Sequence, residues 1–151
     1  MRTISDYLRN IKFVQNTLWE ETARISFAKE ELIISMNTEE QMFRDGEDAH
    51  GKSLGEYEFT YDYGSAYGSN PKGYPKRAGY SFNFYDTGEL YSAMKLRMQG
   101  DKLFIDNSDP KVLLLEDKWG VDFIGLNENN KERLNWDILY PEILEYCKKY
   151  M

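Results

Sequence analysis

The chain is poor in the residues on which most recognisable chemistry is built. Among 151 residues it has one cysteine, Cys147, and one histidine, His50. A single cysteine excludes an intrachain disulfide, so this is not a stapled secreted scaffold. The usual Cys/His zinc sites fail on ligand count alone. A Cys–His nucleophilic pair would need the fold to join two residues far apart in the sequence, with an oriented imidazole. His50 instead lies in a polar stretch, Glu47-Asp48-Ala49-His50-Gly51-Lys52-Ser53-Leu54-Gly55. Long apolar runs are also missing. The longest is Val112 to Leu115, well short of the ~20 residues a membrane span needs. No apolar run follows the first residues, so no secretory signal is expected and the chain reads as cytoplasmic. Phosphate loops, dinucleotide fingerprints and nucleophile elbows are all lacking.

A formal net charge of −7 argues against a sequence-specific nucleic-acid binder, which usually carries a basic stripe. Aromatics are plentiful at 15%, with 12 Tyr. Tyr suits interfaces, where its ring buries area while its hydroxyl stays bonded; it is equally at home half-buried in a strand. The length is that of one domain with a real core.

The first 36 residues read as a long helix or a helix pair. Ile4, Ile11, Leu18, Ile25 and Leu32 recur every seven residues, with Tyr7, Val14 and Ala28 beside them. Such a stripe packs on the protein's own sheet or on another copy of the chain. Thr38 with Gln41 has capping-box form and predicts a short helix over 39–44, stopped by Asp45-Gly46. Tyr57, Phe59, Tyr61 and Tyr63 alternate with polar residues, as do Tyr80, Phe82 and Phe84; both read as strands. Between them, Gly64 to Gly79 holds four Gly and two Pro and reads as a long surface loop. Its Lys72, Lys76 and Arg77 alternate with Tyr67, Tyr74 and Tyr80, a mixture seen in single-strand binders and equally in solvated loop tips. Met94, Leu96 and Met98, then Leu103 and Ile105 across Gly100-Asp101, predict a hairpin. Asp109-Pro110 predicts a helix over 111–119, with Gly120 as its stop. Asn127 caps a last helix from Glu128 towards Tyr150, with a kink or restart at Pro141. The expectation is a single α+β domain over 1–151: an N-terminal helix or helix pair, a small antiparallel sheet, a short helix and a C-terminal helix.

Acidic clusters need separate weighing. Asp45-Gly46-Glu47-Asp48-Ala49-His50-Gly51, with Glu56 further on, superficially resembles a calcium loop, but Ala49 stands where a ligand belongs. Glu39/Glu40 and Glu116/Asp117 are carboxylate pairs of the kind any acidic protein carries, and hydrolysis needs two carboxyls facing across a cleft. No catalytic, cofactor-binding or metal-binding residue is assigned. A small hydrolase using the acids near Asp45–Asp48, and an adaptor binding through the N-terminal helix, are the alternatives to a structural role.

Several pieces, taken in order, resemble the phage virion morphogenesis family of tail-completion or neck components. An Asp-x-x-Gly-x-x-Leu element appears as Asp48 to Leu54. The family's Thr-Gly-x-Leu element is similar to Thr87-Gly88-Glu89-Leu90 within Phe84 to Met94, and its Phe-Leu-Gly-Leu-Ser piece to Phe123-Ile124-Gly125-Leu126-Asn127. The likeness runs from about Gln41 to the C-terminus. Where the family often has Pro-x-Arg, this chain has Gly120-Val121-Asp122. The resemblance implies a non-enzymatic virion subunit at the head–tail junction, assembled in the host cytoplasm. It would form a homo-oligomeric ring contacting other neck, portal or tail proteins. Gly64–Gly79 and the aromatic strand face are the expected contacts. The resemblance carries over no catalytic residues. Its Gly88, Thr87, Leu90 and Asn127 have folding roles: a permissive backbone, a bond to a nearby amide, a core anchor and a helix cap.

Overall fold

A computed structural model describes residues 3–59, 77–85, 87–119 and 122–151. Helix α1 spans Ile4–Ala28. It starts on a capping box that the sequence reading overlooked. The Thr3 hydroxyl accepts from the Asp6 amide, and the Asp6 carboxylate accepts from the Thr3 amide at 2.9 Å. Lys29 leaves helical geometry (φ −111°, ψ 19°) and separates α1 from α2, Glu30–Ser35. The N-terminal segment is therefore a helix pair, one of the two arrangements expected.

The stripe on α1 does not pack on the sheet. Helix α1 runs antiparallel to α6, Tyr140–Tyr150, at the chain's far end. Phe13 meets the Tyr150 ring at 4.9 Å between centroids, the Thr17 hydroxyl bonds Tyr146 at 2.6 Å, and Lys29 pairs with Glu142 at 3.2 Å. The element against the sheet is α2, whose Glu30 carboxylate accepts from the Leu96 amide at 2.8 Å.

Thr38 is not a cap. The chain passes from α2 directly into a π-helical stretch, Met36–Arg44, and the Thr38 hydroxyl donates back to the Ile34 carbonyl at 3.0 Å. A Ser/Thr–Glu/Gln spacing marks a helix start only where the preceding turn is not already helical, and here it is. The stretch ends where expected, at Asp45-Gly46. The Asp45 amide donates to the Glu40 carbonyl at 2.9 Å, and Gly46 has φ +64°.

The hairpin forms as predicted. Strand β1, Met94–Gln99, pairs antiparallel with β2, Lys102–Asn107, around Gly100-Asp101, with Leu96 opposite Ile105. The two aromatic strands do not form within the described residues. Their described parts meet only in a short antiparallel bridge at Glu56 and Ser81, with the Tyr57 amide donating to the Tyr80 carbonyl at 2.9 Å and the Phe82 amide to the Gly55 carbonyl at 2.8 Å; a second bridge joins Glu47 to Ser53. Tyr57 to Phe59 is irregular, and the rest of that expected strand, from Thr60 on, lies outside the described residues, as does the Gly64–Gly79 loop up to Lys76. From Tyr80 to Phe84 the alternation has another cause. Asn83 is buried, its side-chain oxygen accepts from the Tyr85 amide at 2.9 Å, and Phe84 sits at φ +55°, which no strand allows. The rings alternate because they meet different neighbours: Phe82 packs on Tyr57 at 4.5 Å and Phe84 on Phe123 at 4.9 Å.

After a short helix α3, Glu89–Ser92, and the hairpin comes α4, Lys111–Trp119, with the Asp109 carboxylate bonded to the Lys111 amide at 2.9 Å. Gly120, its expected stop, is outside the described residues. The last helix is continuous from Glu128 but not uniform. Helix α5, Glu128–Arg133, widens into a π-helical stretch, Leu134–Leu139, before α6. Pro141 enters at the start of α6, so it acts as a restart. A proline ring clashes with the carbonyl four residues back, and the wider coil before it provides the room. Phe123, fully buried, sits in a core that gathers Ile33, Met36, Met42, Leu90, Leu96 and Ile105 from the α2–π unit, α3 and the hairpin.

Gly46→Ala tests the turn that ends the first π stretch. A Cβ there would stand 2.6 Å from the Ser81 Cβ, and the left-handed conformation alone costs a side chain ~1–2 kcal/mol. Urea denaturation should show a loss beyond that figure. Gly100→Ala, at φ +62° but facing open space, should lose no more than the conformational part.

Candidate functional site

Several of the residues singled out as chemically suggestive are drawn into folding roles; Lys72 and Lys76 lie outside the described residues. Asp48 is buried (4% exposed). One of its carboxylate oxygens accepts from the His50 and Lys52 amides, both at 2.8 Å, while the Gly51 amide returns to the Asp48 carbonyl at 3.0 Å. Asp48 thus closes its own loop, Gly51 turns it at φ +73°, and Leu54 anchors its end in the core. Glu47 accepts from the Asn127 carboxamide at 3.0 Å. Asp45 is tied to Arg44 at 2.7 Å, and Glu40 to Arg133 at 2.6 Å. His50 approaches Asp122 at 3.5 Å with both side chains mostly in solvent, whereas Cys147 lies on α6 beside α1. Among the described residues no three His, Cys, Asp or Glu side chains are grouped to hold a metal ion. No described helix is long and apolar enough to cross a membrane.

Beneath that loop lies a network of four carboxamides that the sequence reading saw only in part. The Asn37 amide nitrogen donates to the carbonyls of Phe123 (3.0 Å) and Gly125 (3.1 Å), and its oxygen accepts from the Gly125 amide at 3.1 Å. The Gln41 nitrogen donates to the Asp48 and Gly125 carbonyls at 2.9 and 2.8 Å. Its oxygen accepts from the Asn127 amide at 2.8 Å. Asn127 caps α5 as predicted, accepting from the Asn130 amide at 3.0 Å, and Asn130 donates to the Met36 carbonyl at 3.1 Å. Asn37 and Gln41 are one turn apart on the π stretch, and both face the same extended backbone. The sequence signal was present: two carboxamides four residues apart between apolar positions on a helix.

The Thr-Gly-x-Leu piece is similarly structural. Gly88 has φ +92° and caps α3, the Thr87 hydroxyl lies 3.4 Å from the Glu89 amide, and Leu90 is in the core.

Two neighbouring clefts open on the surface. One, of about 510 Å³, runs between β2 and the segment from Asp122 to Leu126. The other, of about 570 Å³, runs between the hairpin tip and the second half of α1. They meet at Leu103, Phe104, Leu134 and Asn135. Among the described residues, Asp122 is the single carboxylate lining the first and Asp101 the single one lining the second. The acids near Asp45–Asp48 do not converge on either. A shallower depression carries Glu30, Glu31 and Glu39, of which Glu30 is bonded to the sheet.

Helix α1 is the other prominent surface. From Ile4 to Phe13 no side chain is buried, although Ile4, Tyr7, Leu8 and Ile11 recur at helical spacing on one face. On α4, Leu113 and Leu114 are 74% and 71% exposed. Comparison with protein-family models, with curated protein sequences and with solved structures finds no match.

Gln41→Glu places a carboxylate oxygen against two carbonyl oxygens, whereas Gln41→Leu removes four bonds and orphans the Asn127 amide. Thermal and urea unfolding should show about 3 kcal/mol lost for Leu and more for Glu at neutral pH, recovering in acid for Glu alone. The Arg44 guanidinium, bonded to Asp45, holds that carboxyl below the usual carboxylate range, with partial burial opposing. A depressed folded-state value means the pair's contribution is complete above the unfolded-state value and is lost as pH falls through the folded one. Carboxyl NMR titration should place the Asp45 midpoint below the usual aspartate value, and Arg44→Gln should raise it.

Proposed function

We propose that the chain is a structural subunit of a tailed-phage virion, a ring-forming neck or tail-completion protein at the head–tail junction. The observation that carries the self-assembling part is the first half of α1. An amphipathic helix is stable in a protein because its apolar stripe is covered. Here Ile4, Tyr7, Leu8 and Ile11 form a stripe that the described chain covers only in part, from Ile11 at 39% exposed to Ile4 at 80%. Such a stripe is laid into a groove of another chain, read through anchors at this spacing. The Leu113-Leu114 pair on a different element offers a second patch, and two unlike patches are what a head-to-tail, closing contact requires. The virion setting rests on the ordered resemblance from Asp48 to Asn127.

The role of each motif residue in turns, caps and core agrees with a family whose shared pattern serves folding. The scarcity of carboxylates in the two larger clefts gives the hydrolase alternative little to act with. An adaptor docking through α1 shares the stripe, and differs in what the stripe binds.

Leu8→Glu with Ile11→Glu separates these readings. Both positions are exposed, so unfolding should shift by no more than ~1 kcal/mol in all. Mass photometry and electron microscopy of the wild type should show closed rings of identical subunits, and purified particles should contain the chain. The double variant should stay monomeric and be missing from particles. A wild-type chain that is monomeric at all concentrations and absent from virions would overturn the proposal.

A further inference from the structure

The two edges of the hairpin differ at one position, an amide of β1 that a side chain takes. In an antiparallel pair, alternate residues turn their N–H and C=O groups towards the partner strand or away from it. Two observations fix which do which. Just past the strands, the Ser108 amide donates to the Ala93 carbonyl at 3.4 Å, which makes Lys95–Asp106 and Arg97–Phe104 the bonded pairs. Leu96 then points its amide outward, and that amide is indeed taken by Glu30 at 2.8 Å. By the same alternation, Leu103 and Ile105 on β2 turn their N–H and C=O groups away from β1. Among the described residues none of these four groups has a hydrogen-bond partner.

The 510 Å³ cleft reaches this edge. Leu96, Leu103 and Ile105, from one face of the hairpin, and Phe104, from the other, all line it, so it runs along that face and round the edge of β2. Its opposite wall is the segment carrying Ile124. Among the described residues one carboxylate, Asp122, and one ammonium, Lys131, line the cleft, so it presents no single-sign patch to select a phosphate or a nucleic-acid backbone. What remains unsatisfied is a two-residue ladder of backbone groups in apolar surroundings, the complement of a β-strand.

We propose that this cleft binds an extended peptide segment of another protein, which adds to β2 as a third strand and carries apolar side chains at alternate positions. Main-chain bonds to Leu103 and Ile105 supply the pairing, and the apolar lining selects the side chains that point inward. The inference does not depend on the virion reading, because the edge and the cleft belong to the single chain.

The test is selection of a random dodecapeptide library on the purified full chain, with Leu103→Pro as the counter-target. Proline is tolerated on an edge strand where its missing N–H faced outward, so this variant should fold, as circular dichroism and unfolding will show. Phe104→Lys, which alters the cleft without touching the edge amides, is the second variant. Peptides with apolar residues at every second position should be enriched. The best of them should slow amide exchange at Leu103 and Ile105, and should bind Leu103→Pro and Phe104→Lys about tenfold or more weakly. Peptides lacking this pattern, or exchange at the two amides unchanged on binding, would overturn the proposal. So would concentration-dependent protection of those amides in the chain alone, since the occupant would then be a second copy.

Discussion

A stretch of backbone with no secondary structure of its own runs between the core and a surface cleft, and its buried polar groups must be satisfied by other parts of the protein. From Phe123 to Asn127 the chain is neither helix nor strand, yet Phe123 is completely buried. An unpaired buried amide or carbonyl costs about as much as several good contacts return. Asn37 and Gln41 resolve this by standing in for a neighbouring strand. A carboxamide offers a donor and an acceptor in one plane, as a peptide group does, and two of them one helical turn apart form a short artificial ladder. The core, the acidic loop and the last helix all depend on it, because the same Gln41 reaches Asp48, Gly125 and Asn127.

The π geometry of Met36–Arg44 follows from that demand. Wider coiling changes which side chains stack along the axis, and such turns concentrate where a helix must present particular groups. The second π stretch, Leu134–Leu139, has a simpler origin in the proline that follows it. Neither is visible in a sequence read with an α-helical period, because apolar positions shift by a fraction of a turn that a short window does not resolve.

What the residues made legible was local chemistry. The hairpin around Gly100-Asp101, the Asp109 and Asn127 helix starts, the stop at Asp45-Gly46 and the α+β class are all set by neighbours in sequence. The departures came from tertiary demands. Thr38 and Gln41 have the spacing of a capping box, but Gln41 was needed elsewhere. Tyr80 to Phe84 have the alternation of a strand, but the buried Asn83 turns the chain and forces Phe84 to positive φ. The stripe on α1 was legible from its spacing, whereas the return of α6 alongside Phe13 and Thr17, off that stripe, is a tertiary contact with no local signal. Of the candidate site, the scarcity of His and Cys was readable from composition. The clefts beside β2 were not, because an unpaired edge is a property of pairing and leaves no mark in the letters.

The Glu30 carboxylate has a consequence for how sheets of this protein grow. A hairpin with two open sides is a bifunctional unit and propagates, as fibre-forming strands do. The glutamate occupies one of the outward groups of β1, so a strand arriving there would have to displace a carboxylate, whereas one arriving at β2 would not. In the terms of polymer chemistry, the two ends of this unit differ in reactivity.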